Sequence, residues 1–264
     1  MNHESSGTGN PMIAITREPS HSLGNCELTH LDRKAIDVET AALQHQRYEQ
    51  YLEQFGCSVV RLPAEHDLPD AVFVEDAAVV FPDVAVITRP GAESRRPETV
   101  SMADELKKWR PLRFIDAPGT LDGGDVLTLG KNVYVGISGR SNESGIEQLR
   151  HYLKPFGYTV TGVPVRGCLH LKTALDPVHD DLLLINPQWV DPGLFDGVTC
   201  VPVHPSEPFG ANLLRFGNAA LCSESFPRTI DWLAGLGLDV RTIDYSEMAK
   251  AEAGLTCCSV IFEG

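Results

Sequence analysis

The C-terminal run Leu255-Thr256-Cys257-Cys258-Ser259-Val260-Ile261 sets two thiols side by side at the start of an apolar segment. A thiol is a nucleophile only as the thiolate, and an ordinary cysteine pKa of about 8.5 means that a cation, a histidine or the substrate itself must activate it. Histidine suits the accompanying proton transfers, since it can give a proton to a leaving group and then take one from water near neutral pH. His170, in Leu169-His170-Leu171-Lys172, is the candidate for that work. Asp122, in Leu121-Asp122-Gly123-Gly124-Asp125, is a carboxylate able to orient the imidazole. Further acids, Asp70, Glu75 and Asp76, sit close together upstream. Carboxylates raise the pKa of a neighbouring thiol, so they are tolerable at such a site where the substrate carries positive charge. The set points to a cationic electrophile, for which a guanidinium is a natural choice.

Each of these residues has a plainer explanation when taken alone. Free cysteines are usually small buried hydrophobes, and a histidine between two leucines is commonly a satisfied core residue. Asp-Gly favours a hairpin turn, the acids at 70–76 suit a turn or a cap, and Arg95-Arg96 suits a surface. If Cys257 and Cys258 open a strand, alternation turns their sulfurs to opposite faces, without saying which one reacts.

Composition limits the answer. A chain of 264 residues, 42% hydrophobic and 22% charged, can bury one substantial core, and a single domain over 1–264 is expected, with 1–11 a loose polar tail. No apolar run reaches the roughly 18 residues of a membrane span, and the start of the chain does not read as a signal peptide, which favours the cytoplasm. The formal net charge of −14 argues against nucleic acid and is compatible with a small cationic substrate. Seven scattered cysteines without a Cys-x-x-Cys pair argue against a disulfide framework and a structural metal, and no cofactor is expected. Oligomeric state, a homodimer included, is left open.

The elements that must bring these residues together recur with a period of roughly 40 to 55 residues, each unit having short β-branched runs and an amphipathic helix. The first unit has strands at 57–62, 70–80 and 84–88 and a helix at 98–109 behind Pro97, a residue favoured at the first helical position. The second has strands at 112–115, 124–129 and 132–137 and a helix at 143–155. The third has strands at 158–160, 169–175 and 181–186 with a short helical stretch near Trp189. The fourth has strands at 199–203, 211–216 and 219–222 and a helix at 227–236. The fifth has strands at 238–243 and 257–262 and is completed by the strand 12–16 and the helix 38–55. That helix carries a predicted apolar stripe of Leu43, Tyr48, Tyr51, Leu52 and Phe55 and stops at Gly56. Five units closed by the first strand make a ring. The second strand of each unit then lines the axis and gathers the acids, His170 and Cys257 at one end.

Read together and in order, the segments 70–76, Ile87-Thr88-Arg89-Pro90-Gly91-Ala92-Glu93-Ser94-Arg95-Arg96, 121–127, Gly139-Arg140-Ser141-Asn142, 169–172 and 255–259 resemble the dimethylarginine dimethylaminohydrolase family. That family belongs to the guanidine-modifying enzymes with the five-bladed pentein α/β-propeller fold. The resemblance implies that Cys257 is the nucleophile, with Cys258 a bystander, and that His170 is the general acid and base oriented by Asp122, where some relatives have Glu. It implies that Asp70, Glu75 and Asp76 line the guanidinium pocket, Asp76 pairing directly, and that Arg95 and Arg140 hold the substrate α-carboxylate. Leu28, in an N-terminal loop, and the carbonyl of Ala251 would close over the α-amino end. Methylated arginine would give citrulline and an amine. Arginine deiminase or amidinotransferase chemistry is the alternative within the fold, and a non-catalytic pentein of the kind found among ribosome anti-association factors is the alternative outside enzymes. The chain departs from the family after Lys250, where Ala251-Glu252-Ala253-Gly254 delays the usual glycine by one place, and the 21–34 loop is individual. His204, Cys200 and Cys222 are expected to be structural.

Overall fold

The computed structural model describes residues 11–264, so the expectation of a loose tail over 1–11 lies outside the described residues except for Pro11. In chain order the elements are β1 (Met12–Arg17), α1 (Val38–Gln54), β2 (Cys57–Leu62), β3 (Ala78–Val80), β4 (Ala85–Ile87), α2 (Thr99–Leu106) and β5 (Leu112–Phe114). Next come β6 (Val126–Leu129), β7 (Asn132–Ile137), α3 (Glu143–Leu153), β8 (Thr159–Pro164), α4 (Leu171–Ala174), β9 (Leu175–His179), β10 (Leu182–Ile185) and β11 (Thr199–Pro202). The chain ends with β12 (Leu214–Phe216), β13 (Ala219–Ser223), α5 (Pro227–Gly235), β14 (Asp239–Ile243), α6 (Ser246–Ala249) and β15 (Val260–Glu263).

These strands form five sheets of three, ordered β15-β1-β2, β3-β4-β5, β6-β7-β8, β9-β10-β11 and β12-β13-β14. In every sheet the first pair is antiparallel and the second parallel. The ring closes as expected by joining the two ends of the chain, with Met12 opposite Glu263 and Ile15 opposite Val260. The fold is a five-bladed α/β-propeller.

The grouping of strands into blades differs from the sequence reading by one strand. A parallel pair needs a crossover, usually a helix, and the chain leaving that helix returns to the sheet it left. The strand after each helix therefore completes the preceding blade: β2 pairs with β1, β5 with β4 and β14 with β13. The placement of the axial strands holds. β3, β6, β9, β12 and β15 are the inner edges, and Val80, Thr128, Pro177, Arg215 and Ile261, one from each, line a common cavity of about 330 Å³.

The apolar core lies between blades and under their helices, as where Val86 of β4 meets Val133 and Val135 of β7 and Leu149 of α3. Asp37 caps α1 by accepting from the Thr40 N–H at 3.1 Å. Tyr48 and Leu52 are fully buried as the stripe required, but Leu43 is 65% exposed. The buried face runs instead through Ala41, Gln44, His45 and Glu49. Hydropathy could not show this, because Gln44 and Glu49 are buried only through their partners: Ser246 Oγ at 3.1 Å for Gln44, Thr16 Oγ1 at 2.6 Å for Glu49.

The segments just before four of the inner strands are not strand, as the apolar runs suggest, but helical turns. Val74–Ala77, Gly123–Asp125 and Leu171–Ala174 are single helical turns that immediately precede β3, β6 and β9, and Thr256–Cys258 is another, one residue before β15. His170 lies just ahead of such a turn, and Cys257 within one, so neither is a strand residue. The turns pack backbone to backbone: a Cβ on Gly123 would lie 1.9 Å from the Glu75 carbonyl oxygen. Gly123→Ala should therefore destabilise the protein by about 2 kcal/mol or more in urea unfolding. Gly139→Ala, where nothing lies within 4 Å, should cost less than about 0.5 kcal/mol. Equal midpoints for the two variants would show that the turns can move apart.

Candidate active site

The turns before four inner strands carry the reactive groups, and the ring brings their ends together. His170 is 3% exposed and Asp122 is fully buried. His170 Nε2 lies 3.0 Å from Asp122 Oδ2, and Nδ1 lies 3.8 Å from Asp76 Oδ1, beyond hydrogen-bond range but close enough to feel its charge. Asp122 is itself fixed: its Oδ1 accepts from the Gly91 N–H at 2.9 Å, and its N–H donates to Ser141 Oγ at 3.0 Å. Asp125 ties the His170 turn to the Asp122 turn. Its Oδ1 accepts from the Leu171 N–H at 2.9 Å, and its Oδ2 accepts from the hydroxyls of Ser138 and Ser141 at 2.6 and 2.7 Å. Burial alone would lower the His170 pKa, but Asp76, the hydrogen bond to Asp122 and the charge of Asp125 push it up to about 9. At neutral pH the ring is an imidazolium with two N–H donors.

Asp76 accepts from the Gly124 N–H at 2.9 Å through Oδ1 and from Arg95 Nη1 at 2.6 Å through Oδ2. Burial opposes ionisation of Asp76, yet His170 and Arg95 hold its carboxyl well below the usual carboxylate range. Gly124 must lack a side chain, because a Cβ there would lie 2.6 Å from His170 Nδ1 and 2.8 Å from Asp76 Oδ1. The Asp-Gly-Gly-Asp motif is thus a place of close backbone approach and not the hairpin that Asp-Gly suggests.

Arg95 is engaged within the protein. Its guanidinium is occupied by Asp76, by Glu98 at 2.9 Å and by the carbonyls of Asp70 and Phe73 at 3.3 and 3.1 Å, and the residue is 3% exposed. Those groups compete for the donors a substrate carboxylate would need. Arg140 differs: its Nη2 donates to Thr29 Oγ1 at 3.0 Å, while the buried Nη1 has no hydrogen-bond partner and lies 4.0 Å from Asp122 Oδ2. Asp70 is turned toward the N-terminal loop, both its oxygens accepting from the Glu27 N–H at 3.1 and 3.0 Å. Leu28 is half-buried against the cluster that contains Leu255 and Cys258. Ala251 is buried in the turn after α6, its N–H donating to the Met248 carbonyl at 3.0 Å.

Glu75 sits against the Thr256–Cys258 turn. It pairs with Lys172 Nζ at 2.5 Å and accepts from Thr256 Oγ1 at 3.0 Å. Cys257 is half-buried, and its sulfur accepts from the Gly254 N–H at 3.3 Å. Burial, together with Glu75 and Asp76, pushes its thiol well above the ordinary value, so the resting residue is a protonated thiol. Cys258 is fully buried, 2.8 Å from Tyr245 Oη, and burial pushes it up to about 12. The ligand atoms of Asp76, Asp122 and His170 lie within 4.8 Å of one another, the geometry of a cation site. Their present partners, Arg95, the Gly91 N–H and the ring proton, would have to yield to a metal first.

Several supporting residues escaped the sequence reading. Asn212 donates to the Lys172 carbonyl at 3.0 Å and to Thr256 Oγ1 at 3.2 Å, and its Oδ1 accepts from the Leu255 N–H at 2.6 Å. It precedes β12 as the other polar residues precede their inner strands, and an asparagine in an otherwise apolar run was the available signal. Ser138 and Ser141, which fix Asp125, carry no such mark.

A family model described as arginine deiminase matches residues 64–203. An N(G),N(G)-dimethylarginine dimethylaminohydrolase of Streptomyces coelicolor is 40% identical over 250 residues, 94% of this chain and 95% of that protein. One of Pseudomonas aeruginosa is 33% identical over 94% of this chain and 98% of that protein. The solved structure of a cysteine-to-serine variant of the Pseudomonas aeruginosa enzyme with citrulline superposes with a TM-score of 0.91 at 32% identity, covering 96% of this chain and 100% of that one. The N-terminal domain of the cyanobacterial arginine dihydrolase ArgZ shares the fold, with a TM-score of 0.86 at 17% identity over 96% of this chain and 97% of that one. On near full-length similarity to these relatives, the chain belongs to the dimethylarginine dimethylaminohydrolase family within the arginine deiminase group.

Proposed function

We propose that this enzyme hydrolyses N-omega-methylated arginine, asymmetric dimethylarginine or monomethylarginine, to citrulline and dimethylamine or methylamine. The observation that carries the reading is that Asp76 acts on both the half-buried Cys257 and the His170 imidazolium, which buried Asp122 also holds. A guanidinium brings the positive charge that this group of carboxylates favours, and its arrival lowers the cost of ionising Cys257. Cys257 gives its proton to solvent, the thiolate forms the S–C bond, and the C–N bond to the methylated amine breaks as His170 gives that nitrogen its proton. The neutral imidazole then takes a proton from water, whose oxygen attacks the S-alkylthiouronium carbon. The adduct's hydroxyl proton passes to the sulfur as the S–C bond breaks, so that citrulline leaves and the thiol is restored.

Asp122 orients His170 in this scheme, and Asp76 accepts from the guanidinium with Glu75 beneath and Asp70 at the loop side. Arg140 offers its unpartnered Nη1 to the α-carboxylate, while Arg95, with its donors engaged, orients Asp76. Leu28 and the Ala251 carbonyl close over the α-amino end. No helix of the described residues is long and apolar enough to cross a membrane. All seven cysteines are free, which supports a reducing, cytoplasmic setting.

The arginine deiminase description of the matching family model favours a second reading, hydrolysis of unmethylated arginine. Citrulline release from arginine, monomethylarginine and asymmetric dimethylarginine separates the two. We expect kcat/KM for the methylated substrates to exceed that for arginine by about tenfold or more, and a preference for arginine would reject the methylarginine reading.

Two further outcomes follow from the site. Cys257→Ser should reduce turnover below roughly a thousandth of wild type, whereas Cys258→Ser should keep at least about a third, measured as citrulline formation. Equal losses would contradict the division of roles. In Asp122→Asn the His170 pKa should fall below about 9, because one of the three anions that favour the imidazolium, the one hydrogen-bonded to it, is gone. The alkaline limb of kcat should then move to lower pH, with kcat at neutral pH reduced by roughly a hundredfold or more. An unmoved limb would mean that His170 is not the acid seen in the profile.

A further inference from the structure

Residues 29–35 are exposed throughout, and the segment that begins there reaches the site through Thr29, whose hydroxyl accepts from Arg140 Nη2 at 3.0 Å. Packing does little to fix it. Beneath His30 and Leu31 lies a cavity of about 260 Å³, bounded on its other side by Tyr245, Ala253, Gly254 and Leu255. Apart from the Arg140 contact to Thr29, residues 29–31 are held by one side chain; farther along, Lys250 Nζ donates to the Ala35 carbonyl at 3.1 Å. The Glu252 carboxylate accepts from the N–H of Thr29 at 3.1 and 3.0 Å, and from the N–H groups of His30 and Leu31 as well. Three successive backbone N–H groups turned to one carboxylate form an anion-binding concavity, here filled from within the chain. The upstream part of the loop is held separately, by Asp70 on the Glu27 N–H and by Arg33 on the Gly24 carbonyl at 2.7 Å.

Glu252 reaches the segment from a backbone conformation that side chains disfavour. Its φ is 59°, the one left-handed non-glycine residue among those described. Such a conformation persists where the surroundings over-determine it, which the three N–H donors do. It also lies five residues before Cys257, in the stretch where this chain departs from its relatives.

We infer that Glu252 is a positioning residue that clasps residues 29–31 to the nucleophile loop, so that the Thr29 hydroxyl sets the Arg140 guanidinium for the α-carboxylate of an amino-acid substrate. The identity of that substrate rests on the proposed function. The clasp acts on binding of the amino-acid end and leaves the chemistry at the guanidinium carbon to Cys257 and His170. It therefore governs the preference for guanidines borne on an α-amino acid over bare guanidines.

Glu252→Gly keeps a residue suited to the left-handed backbone and removes the carboxylate, and Glu252→Gln keeps one acceptor oxygen. With asymmetric dimethylarginine, Glu252→Gly should raise KM by about tenfold while kcat stays within about threefold, and Glu252→Gln should fall between it and wild type. With N,N-dimethylguanidine as the bare probe, kcat/KM should change by less than about twofold. Amide hydrogen exchange of the full-length resting protein should quicken at residues 29–31 in Glu252→Gly by about tenfold. A general structural role would instead lower kcat for both substrates together, and that result overturns the inference. So does unchanged exchange at residues 29–31. If the wild-type protein forms no citrulline from any methylarginine, the proposed function fails by itself, and the exchange measurement alone then decides the clasp.

Discussion

The imidazole of His170 lies among Asp76, Asp122 and Asp125 in a space that admits almost no water, and those three charges more than offset the burial that would strip its proton. The rest of the site is arranged to sustain this one protonation state. Asp76 stays ionised because His170 and Arg95 both stand against it, and Arg95 is in turn paired with Glu98, whose carboxyl burial pushes up to about 7. A buried pair of this kind is expensive to break from one side, about 3–5 kcal/mol, because it strands a charge. The chain of charges from Glu98 through Arg95 and Asp76 to His170 and Asp122 therefore behaves as a unit, with the Arg95 guanidinium engaged by a carboxylate on either side.

A ring of five blades suits such a unit because every blade offers the same position, the turn just before its inner strand. Four blades spend that position on Glu75 and Asp76, on Asp122 and Asp125, on His170, and on Cys257. The remaining blade contributes Asn212, which has no charge and instead binds the turns on either side of it. The close approach of these turns leaves no room for side chains at Gly123 and Gly124. Glycines that read locally as turn formers are therefore required by a contact with residues almost fifty positions earlier.

Much of this was legible in the sequence, and the parts that were not share a cause. Short β-branched runs and the helices at 38–55 and 143–155 declared themselves by periodicity, which depends on burial alone. Which strand joins which sheet depends on hydrogen-bond partners that no local pattern records, so β2, β5 and β14 were read one blade too late. Single-turn helices such as Leu171–Ala174 are too short to show a helical period, and their leucines read as strand. The acids and His170 stood out because their types are chemically rare in such runs. Ser138, Ser141 and Asn212 did not, since a hydroxyl or an amide gains its role only from the group it meets.

The two adjacent cysteines show how far a single turn can separate neighbours. Had they opened a strand, two opposite faces would have been available, one for each sulfur. A 3₁₀ turn has three residues per revolution and hence three directions. Thr256 takes one, toward Glu75 and Asn212, and so anchors the turn to the charged floor of the site. Cys258 takes another, into the apolar cluster beside Tyr245, where burial keeps its thiol inert. Cys257 is left with the third direction, half-buried, with the Gly254 N–H on its sulfur. Its neighbours Glu75 and Asp76 raise its pKa, and they would favour its ionisation only when a cation stands against them.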